Sequence, residues 1–225
     1  MTSFCLIQPG VLTVGTYAGF APVSWSDDDG TAHGRDIDLL KEFAAQWNLN
    51  IIFHFFPFDQ IWKRPSNNEI DIAAAGIAPL KSRQTTGVVW SEPYYTVQRS
   101  LLIRAVDCER FKTMADFTDK TILVTNGSTA QLDAEQRKPP STSIIYYDGN
   151  QAEMVRQLLD GTVDALAEGD ICSRYLAAIR YPGQVAVADV HAMKEPEEFV
   201  FAVREASGDL LDALNNFIHE YRKDY

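Results

Sequence analysis

The stretch NEIDIAAAG at residues 68–76 decides how this chain is organised, because residues 161–169 repeat it as GTVDALAEG. Each copy has a polar turn, a hydrophobic residue, an aspartate (Asp71 or Asp164), a run of small or apolar residues and a final glycine. Asp and Gly favour tight turns, whereas the apolar run is typical of a buried strand. The repeat therefore predicts the same helix–turn–strand junction in two similar halves of the chain, with a structural role for both aspartates.

Strand and helix patterns alternate in the same order around both copies. Hydrophobic periodicity predicts strand, helix, strand, helix and strand in the first half, over residues 11–16, 34–49, 50–58, 59–68 (broken at Pro65) and 69–78. The second half repeats this order over residues 120–129, 130–137, 143–148, 150–161 and 163–170. Such alternation is typical of mainly parallel sheets covered by helices. The predicted fold class is therefore α/β, with two Rossmann-like lobes.

Two further apolar segments, residues 100–105 and 197–204, predict two hinge strands that carry the chain between the lobes. A hinge suits a cleft that closes on a small molecule. An amphipathic helix is expected at the carboxyl end of the chain, over residues 208–225. The predicted boundaries are 1–100 and 197–225 for lobe I, 104–193 for lobe II, and near 100–104 and 194–198 for the hinge crossovers.

The bulk composition excludes several classes of function. The net charge of −11 over 225 residues disfavours nucleic acid or an anionic membrane as a partner, and no apolar run approaches the roughly 20 residues of a membrane span. The cysteines lack a CxxC motif and the histidines lack HxxxH and HExxH motifs, so neither a metal nor a cofactor is predicted. No serine lies in GxSxG, and no catalytic residue is assigned. The first ten residues lack the pattern of a secretory signal, so either the protein is cytoplasmic or a signal has been removed.

The strand that ends at Gly76 leads to a candidate carboxylate site. In open parallel sheets, ligands bind beyond the carboxyl ends of the strands, and a glycine there permits close approach to the backbone. Arg83 follows seven residues later on a short predicted helix, where its guanidinium would grip a carboxylate through two parallel hydrogen bonds. Backbone N–H groups around Ala78 would share that anion.

A second anion-binding feature is predicted in the other half, in the sequence VTNGSTAQL at residues 124–132. A strand, then Ser128 and Thr129, then a helix would present unpaired N–H groups and the positive end of the helix dipole. Ser128 could equally serve only as the N-cap of the helix.

Aromatic and acidic residues complete the candidate site. Tyr17, Phe20, Trp25 and Phe58 either form one aromatic wall or fill the core. Glu168 and Asp170, at the end of the repeated strand, either bind an ammonium group or face solvent. Glu168 could also act as a general acid if burial raises its pKa.

Several motifs in register resemble one known family across residues 12–221. These are LTVGTYAGFAPVSW, GRDIDLLKEFA, NEIDIAAAGIAPLKSRQTTGVVWSEPYY, TILVTNGSTAQ and GTVDALAEGD. The chain resembles the periplasmic solute-binding proteins of amino-acid ABC importers, the family 3 extracellular solute-binding proteins, which have a type II periplasmic-binding fold. The resemblance implies a monomeric extracytoplasmic receptor that is not an enzyme. It would capture a small, amino-acid-like carboxylate between two lobes and deliver it to an ABC-transporter permease.

The resemblance also implies roles for single residues. Arg83 would hold the ligand's α-carboxylate with the N–H groups of Ala78 and Thr129, Phe20 and Phe58 would contact its side chain, and the Gly76 carbonyl would accept from its α-amino group. The chain departs from the family pattern at two places. Gly169 stands where the family usually has an acid, and Tyr17 stands where several amino-acid binders have one.

Two alternatives stay open on the same fold. Cyclohexadienyl (arogenate or prephenate) dehydratases resemble these binders, and Glu168 could provide the carboxylic acid that such an enzyme needs. No lysine follows SEPYY, however, and Arg99 is the nearest cation. The chain could also be the ligand-sensing domain of a membrane receptor.

Overall fold

The computed structural model describes residues 4–193 and 196–222, and the chain divides into two compact units. Unit 1 contains the residues up to 18, residues 23–96 and the residues from 198 onward, and unit 2 contains residues 19–22 and 97–197. Residues 194 and 195 of the predicted second crossover lie outside the described residues, as do 1–3 and 223–225 of predicted lobe I.

Unit 1 is built on a mixed sheet whose strand order is β5-β1-β6-β14-β7, with β8 also paired to β14. Its strands are β1 (Val11–Thr16), β3 (Ser24–Ser26), β4 (Ala32–His33), β5 (Asn50–Phe55), β6 (Ile72–Ile77), β7 (Val88–Trp90), β8 (Tyr95–Val97) and β14 (Glu197–Arg204). Its helices are α1 (Arg35–Gln46) and α5 (Gly208–Tyr221). β1 pairs in parallel with β5 and with β6, whereas β14 is antiparallel to β6 and β7. The strands and helices predicted for this half are confirmed, since α1 buries the apolar stripe that its periodicity indicated.

The predicted break at Pro65 is wrong. Residues Phe58–Asn67 form a continuous 3-10 helix that includes Pro65 and ends at Asn68, which has the left-handed φ of 56°. Ile61, Trp62 and Pro65 are buried on one side of this helix, so tertiary packing holds the turns together where an isolated helix would break.

Unit 2 has a sheet with strand order β11-β10-β12-β9-β13. Its strands are β2 (Gly19–Phe20), β9 (Arg99–Arg104), β10 (Thr121–Thr125), β11 (Ser143–Tyr147), β12 (Ala165–Gly169) and β13 (Val185–His191). Its helices are α2 (Thr129–Arg137), α3 (Gln151–Leu159) and α4 (Asp170–Tyr175), which continues as one π-helical turn over Leu176–Arg180. β10 is parallel to β11 and β12, as predicted, but β9 is antiparallel to β12 and β13.

The boundaries of the units differ from the predicted ones. Residues 97–100 were assigned to lobe I, yet β9 lies between β12 and β13 in the sheet of unit 2, so these residues belong to unit 2. Residues 19–22 and Glu197 also group with unit 2. The helix α4 and the strand β13 were not predicted. An apolar crossover and a central strand have the same local pattern, and only pairing distinguishes them.

The repeated aspartates act in the same way in both units. The Asp71 carboxylate accepts hydrogen bonds from the backbone N–H of Thr13 at 3.0 Å and of Ile7 at 2.9 Å. In unit 2, the Asp164 carboxylate accepts from the backbone N–H of Thr121 at 3.0 Å. Each aspartate therefore joins its own strand to the neighbouring strand, which confirms a structural role.

An arginine accompanies each aspartate. Arg204 lies 3.7 Å from Asp71 and Arg104 lies 3.4 Å from Asp164, measured between the nearest guanidinium nitrogen and carboxylate oxygen. These arginines end β14 and β9, the strands that lie antiparallel to β6 and β12. The two units therefore also share an ion pair between distant segments, and its arginine lies outside the repeated motif in each case.

Candidate functional site

In unit 1, Arg83 ends a single 3-10 turn, Lys81–Arg83, a few residues beyond the end of β6. Its guanidinium lies over the ring of Trp62 at 4.6 Å and over that of Phe58 at 5.4 Å, and Nη1 donates to the carbonyl of Ala78 at 2.9 Å. Arg83 is only 3% exposed, so it is not the solvated surface charge that a lone arginine usually is. Aromatic stacking and the bond to Ala78 therefore hold the guanidinium in one orientation.

Gly76 has a φ of +62°, in the left-handed region that favours glycine. Its N–H donates to Oδ2 of Asp36 at 2.8 Å, and the hydroxyl of Tyr94 donates to Oδ1 at 2.8 Å. Asp36 is fully buried, and burial raises its pKa to about 7. The sequence reasoning interpreted Asp36 only as part of a helix, since nothing local shows that α1 brings it to the end of β6.

The four predicted aromatic residues divide between the two units, with Phe20 in unit 2 and the other three in unit 1. In unit 1, the rings of Tyr17 and Phe58 are 5.8 Å apart in an edge-to-face arrangement, and Trp62, which was not predicted, packs edge-to-face on Phe58 at 6.0 Å. Trp25 stacks instead on His33 at 4.6 Å. Phe20 belongs to unit 2, where it packs against a buried apolar cluster.

In unit 2, the predicted strand–loop–helix feature is present at the start of α2. Ser128 is the N-cap, and its hydroxyl accepts from the N–H of Gln131 at 3.0 Å. The Gly127 N–H donates to the Gln131 side chain at 2.7 Å. Thr129, as the first residue of the helix, has an N–H without an intrahelical acceptor.

The Thr129 side chain connects to a buried ion pair that was not predicted. Its hydroxyl donates to Oε1 of Glu197, and Oε2 of Glu197 lies 2.9 Å from Nε of Arg99. The angle at this second contact does not make a hydrogen bond, so the contact is an ion pair. Arg99 and Glu197 are 4% and 7% exposed. Only the pairing of β9 within unit 2 brings Arg99 here, so no local pattern could have revealed it.

Glu168 is buried inside unit 2 at 5% exposure. Burial raises its pKa to about 7, although Arg99 and a hydrogen bond with the Cys172 thiol partly oppose that shift. In the ladder it pairs with Ser100, whose hydroxyl bonds Ser173 at 2.8 Å, whereas Gly169 pairs with Arg99. Because successive residues of a strand face opposite sides, Glu168 and Arg99 project from opposite faces of the sheet.

Asp170 begins α4, and both of its carboxylate oxygens have partners within unit 2. Oδ1 accepts from the Gln98 N–H at 2.9 Å, and Oδ2 lies 3.3 Å from Nε of Arg174. Glu168 and Asp170 are therefore close in sequence, but their carboxylates contact different partners.

Within residues 4–193 and 196–222, no group of three or more His, Cys, Asp or Glu side chains is arranged to hold a metal ion. The helices in the same residues include none with the length and apolarity required to cross a membrane.

Known proteins match this chain over nearly its whole length. The sequence profile of the bacterial extracellular solute-binding proteins, family 3, matches residues 12–225. The L-cystine-binding protein TcyA of Bacillus subtilis (strain 168) is 23% identical over 220 residues, which cover 96% of this chain and 78% of that protein. An ancestral arginine-binding protein, solved with bound arginine, superposes with a TM-score of 0.82 at 27% identity and covers 96% of this chain and 93% of its own. The predicted α/β fold is confirmed.

The predicted alternative is also represented among the relatives. The cyclohexadienyl dehydratase of Pseudomonas aeruginosa (strain PAO1) is 22% identical over 171 residues, which cover 75% of this chain and 63% of that enzyme. This likeness is weaker and shorter than the likeness to TcyA, so the comparisons favour a binding protein.

Proposed function

The chain belongs to the bacterial extracellular solute-binding proteins, family 3, and from this premise we propose that it is an extracytoplasmic receptor which captures a small carboxylate for an ABC transporter. The observation that carries the proposal is the fixed guanidinium of Arg83. A cation that is oriented in advance binds a carboxylate without paying the entropy of ordering a long side chain.

The residues of unit 1 provide what a carboxylate and its apolar substituent need. Arg83 Nη1 donates to Ala78, and the planar guanidinium fork matches the two oxygens of a carboxylate in geometry and charge. Tyr17 and Phe58 present aromatic rings next to this cation, with Phe58 directly under it. A ligand of amino-acid size, with a carboxylate at one end, suits this half-site.

The residues of unit 2 offer a second group of donors that suits a small anion. Thr129 offers the N–H of a helix first turn, and Ser128 caps that turn so that its geometry is fixed. Phe20 is half-buried in the same unit and lies next to Gly169. We assign Gly76, Ala78, Ser128, Thr129, Phe20, Tyr17, Phe58 and Arg83 to ligand binding.

The arrangement around Glu168 supports binding rather than catalysis. A general acid must reach the reacting group of a substrate, whereas the Glu168 carboxyl is hydrogen-bonded to the Cys172 thiol inside unit 2. We therefore propose that the protein is not an enzyme. It would act as a monomer, outside the cytoplasm, with an ABC-transporter permease as its protein partner.

Ligand binding can be tested by thermal shift and calorimetry with a panel of amino acids, 2-oxo acids and dicarboxylates. A ligand at a thousand times its dissociation constant stabilises a protein by about 4 kcal/mol, which raises Tm by roughly 8–16 °C at this chain length. A panel in which no carboxylate shifts the Tm or binds in calorimetry would overturn the proposal.

The role of Arg83 can be tested with Arg83→Gln, and Arg64→Gln serves as a matched control. Loss of two charge-assisted hydrogen bonds should weaken binding on the order of 100-fold. Arg64 pairs with Glu69 and lies over the ring of Phe56, and neither residue is assigned to ligand binding, so its substitution should leave affinity unchanged within about twofold. Because Arg83 is buried, Arg83→Lys is measured as well, and circular dichroism verifies the fold. Equal affinities for Arg83→Gln and the unaltered protein would refute this assignment.

A further inference from the structure

The end of β12 has no space for a side chain at Gly169. A Cβ there would lie 2.9 Å from Cγ2 of Val97, 3.6 Å from Nη2 of Arg99 and 3.6 Å from Cζ of Phe20. The backbone itself would accept any residue, since φ is −71° and ψ is 143°. Val97 therefore crowds the place that a side chain from this strand end would take, and the Arg99 guanidinium would be in van der Waals contact with it.

The carboxylates close to this strand end are already engaged. Glu197 contacts both Arg99 and Thr129, and Asp170 contacts Gln98 and Arg174. Glu168 faces the opposite side of the sheet, where it bonds the Cys172 thiol. An ammonium group at this strand end would therefore share these carboxylates with partners that already contact them.

The polar group at the end of β12 that can still bind a ligand is a hydrogen-bond donor, the guanidinium of Arg99. Arg99 is 4% exposed, and its paired atom is Nε. Within the described part of the chain, no acceptor is hydrogen-bonded to its Nη atoms. Its Nε is fully buried but its Nη atoms are not, so a ligand oxygen can reach them and accept their N–H groups. An ammonium group beside them would instead be repelled by like charge.

We propose that Arg99 determines ligand specificity, by binding an oxygen acceptor of the ligand at the end of β12, where it leaves no favourable place for an ammonium group. The ligand is then a carboxylate whose second polar group is an oxo group or a second carboxylate. This inference rests on the proposed function, because it concerns the ligand of the same receptor.

Matched ligand pairs test the inference by calorimetry on the full chain. Phenylalanine is compared with phenylpyruvate, and glutamate with 2-oxoglutarate, so that only the group on the second carbon differs. Succinate and glutarate test whether the ligand oxygen that binds Arg99 can belong to a second carboxylate. We expect at least one oxo acid or dicarboxylate to bind tenfold or more tightly than every amino acid. Amino acids that bind as tightly as their oxo acids would overturn the inference and leave the receptor function intact, whereas a panel without any binder would overturn both.

Substitutions at Gly169 test the role of Arg99 by changing the protein instead of the ligand. Gly169→Asp with Val97→Ala creates space and adds a carboxylate next to Arg99, and Gly169→Asn with Val97→Ala adds the same volume without the charge. We expect the aspartate variant to bind the preferred acid at least tenfold more weakly than the asparagine variant, because its carboxylate takes the Nη groups and repels the ligand oxygen. Val97→Ala alone controls for the added space. Equal affinities for the aspartate and asparagine variants would count against Arg99 as the specificity residue.

Discussion

Glu168→Gln should change how the stability of the protein depends on pH. Burial raises the pKa of Glu168 from 4.5 to about 7, so between these values the native state holds a proton that the unfolded chain has lost. The free energy of unfolding therefore falls as pH rises from 4.5 to 7. The stability that the protonated Glu168 contributes is fully present only below pH 4.5. A difference of 2.5 pKa units corresponds to about 3 kcal/mol at 1.36 kcal/mol per unit. Glutamine has the same shape and no charge, so the variant lacks this loss.

Urea unfolding at intervals from pH 4.5 to 8 measures the effect. The stability of Glu168→Gln relative to the unaltered protein should rise by about 3 kcal/mol over this range, which moves the midpoint by about 1–3 M urea. Glu109→Gln is the control, because the Glu109 side chain is 94% exposed and lies in the same unit, so its profile should run parallel to that of the unaltered protein.

The two units can be followed separately in this experiment. All four tryptophans lie in unit 1, so their fluorescence reports that unit, whereas circular dichroism reports both. A stability difference between Glu168→Gln and the unaltered protein that stays constant within about 0.5 kcal/mol across the pH range would refute the argument that burial perturbs Glu168.

Three further predictions concern buried charges and can be measured by urea unfolding. Asp36→Asn should remove a similar pH-dependent loss of unfolding free energy, of about 4 kcal/mol between pH 3.8 and 7, which tryptophan fluorescence follows in unit 1. A pH profile of stability equal to that of the unaltered protein would contradict this prediction. Arg99→Met should cost about 3–5 kcal/mol because it removes the arginine partner of the buried Glu197 carboxylate, and adding Glu197→Met should restore most of that stability. A double variant as unstable as the single one would disprove this pairing. Asp71→Asn should cost about 2–3 kcal/mol of unfolding free energy and Asp164→Asn about 1 kcal/mol. The cost at Asp71 is larger because both of its fully buried oxygens accept from backbone N–H groups. A larger cost at Asp164 than at Asp71 would refute the comparison.

The sequence by itself determined most helices and strands of the two repeated segments and their order along the chain. Alternating patterns predicted β1, α1, β5 and β6 and the matching elements of unit 2, because burial of one face imposes a period on the chain. The repeated Asp71 and Asp164 indicated two related units, and Ser128 marked the start of α2. Arg83 was chosen as a candidate by its distance from the end of a strand, and its role stays a prediction. These features are local, and a local signal survives in a single sequence.

Only the tertiary structure decided which charges meet. Arg99 and Glu197 are 98 positions apart in the sequence, yet the two form a buried pair because β9 joins the sheet of unit 2 antiparallel to β12. The same register directs Glu168 to one face of the sheet and leaves Gly169 beside Arg99 on the other. Strand register and the direction of pairing depend on contacts between distant segments, and a shift of one residue exchanges the two faces. The identity of the groups around the ligand is therefore a property of the folded chain.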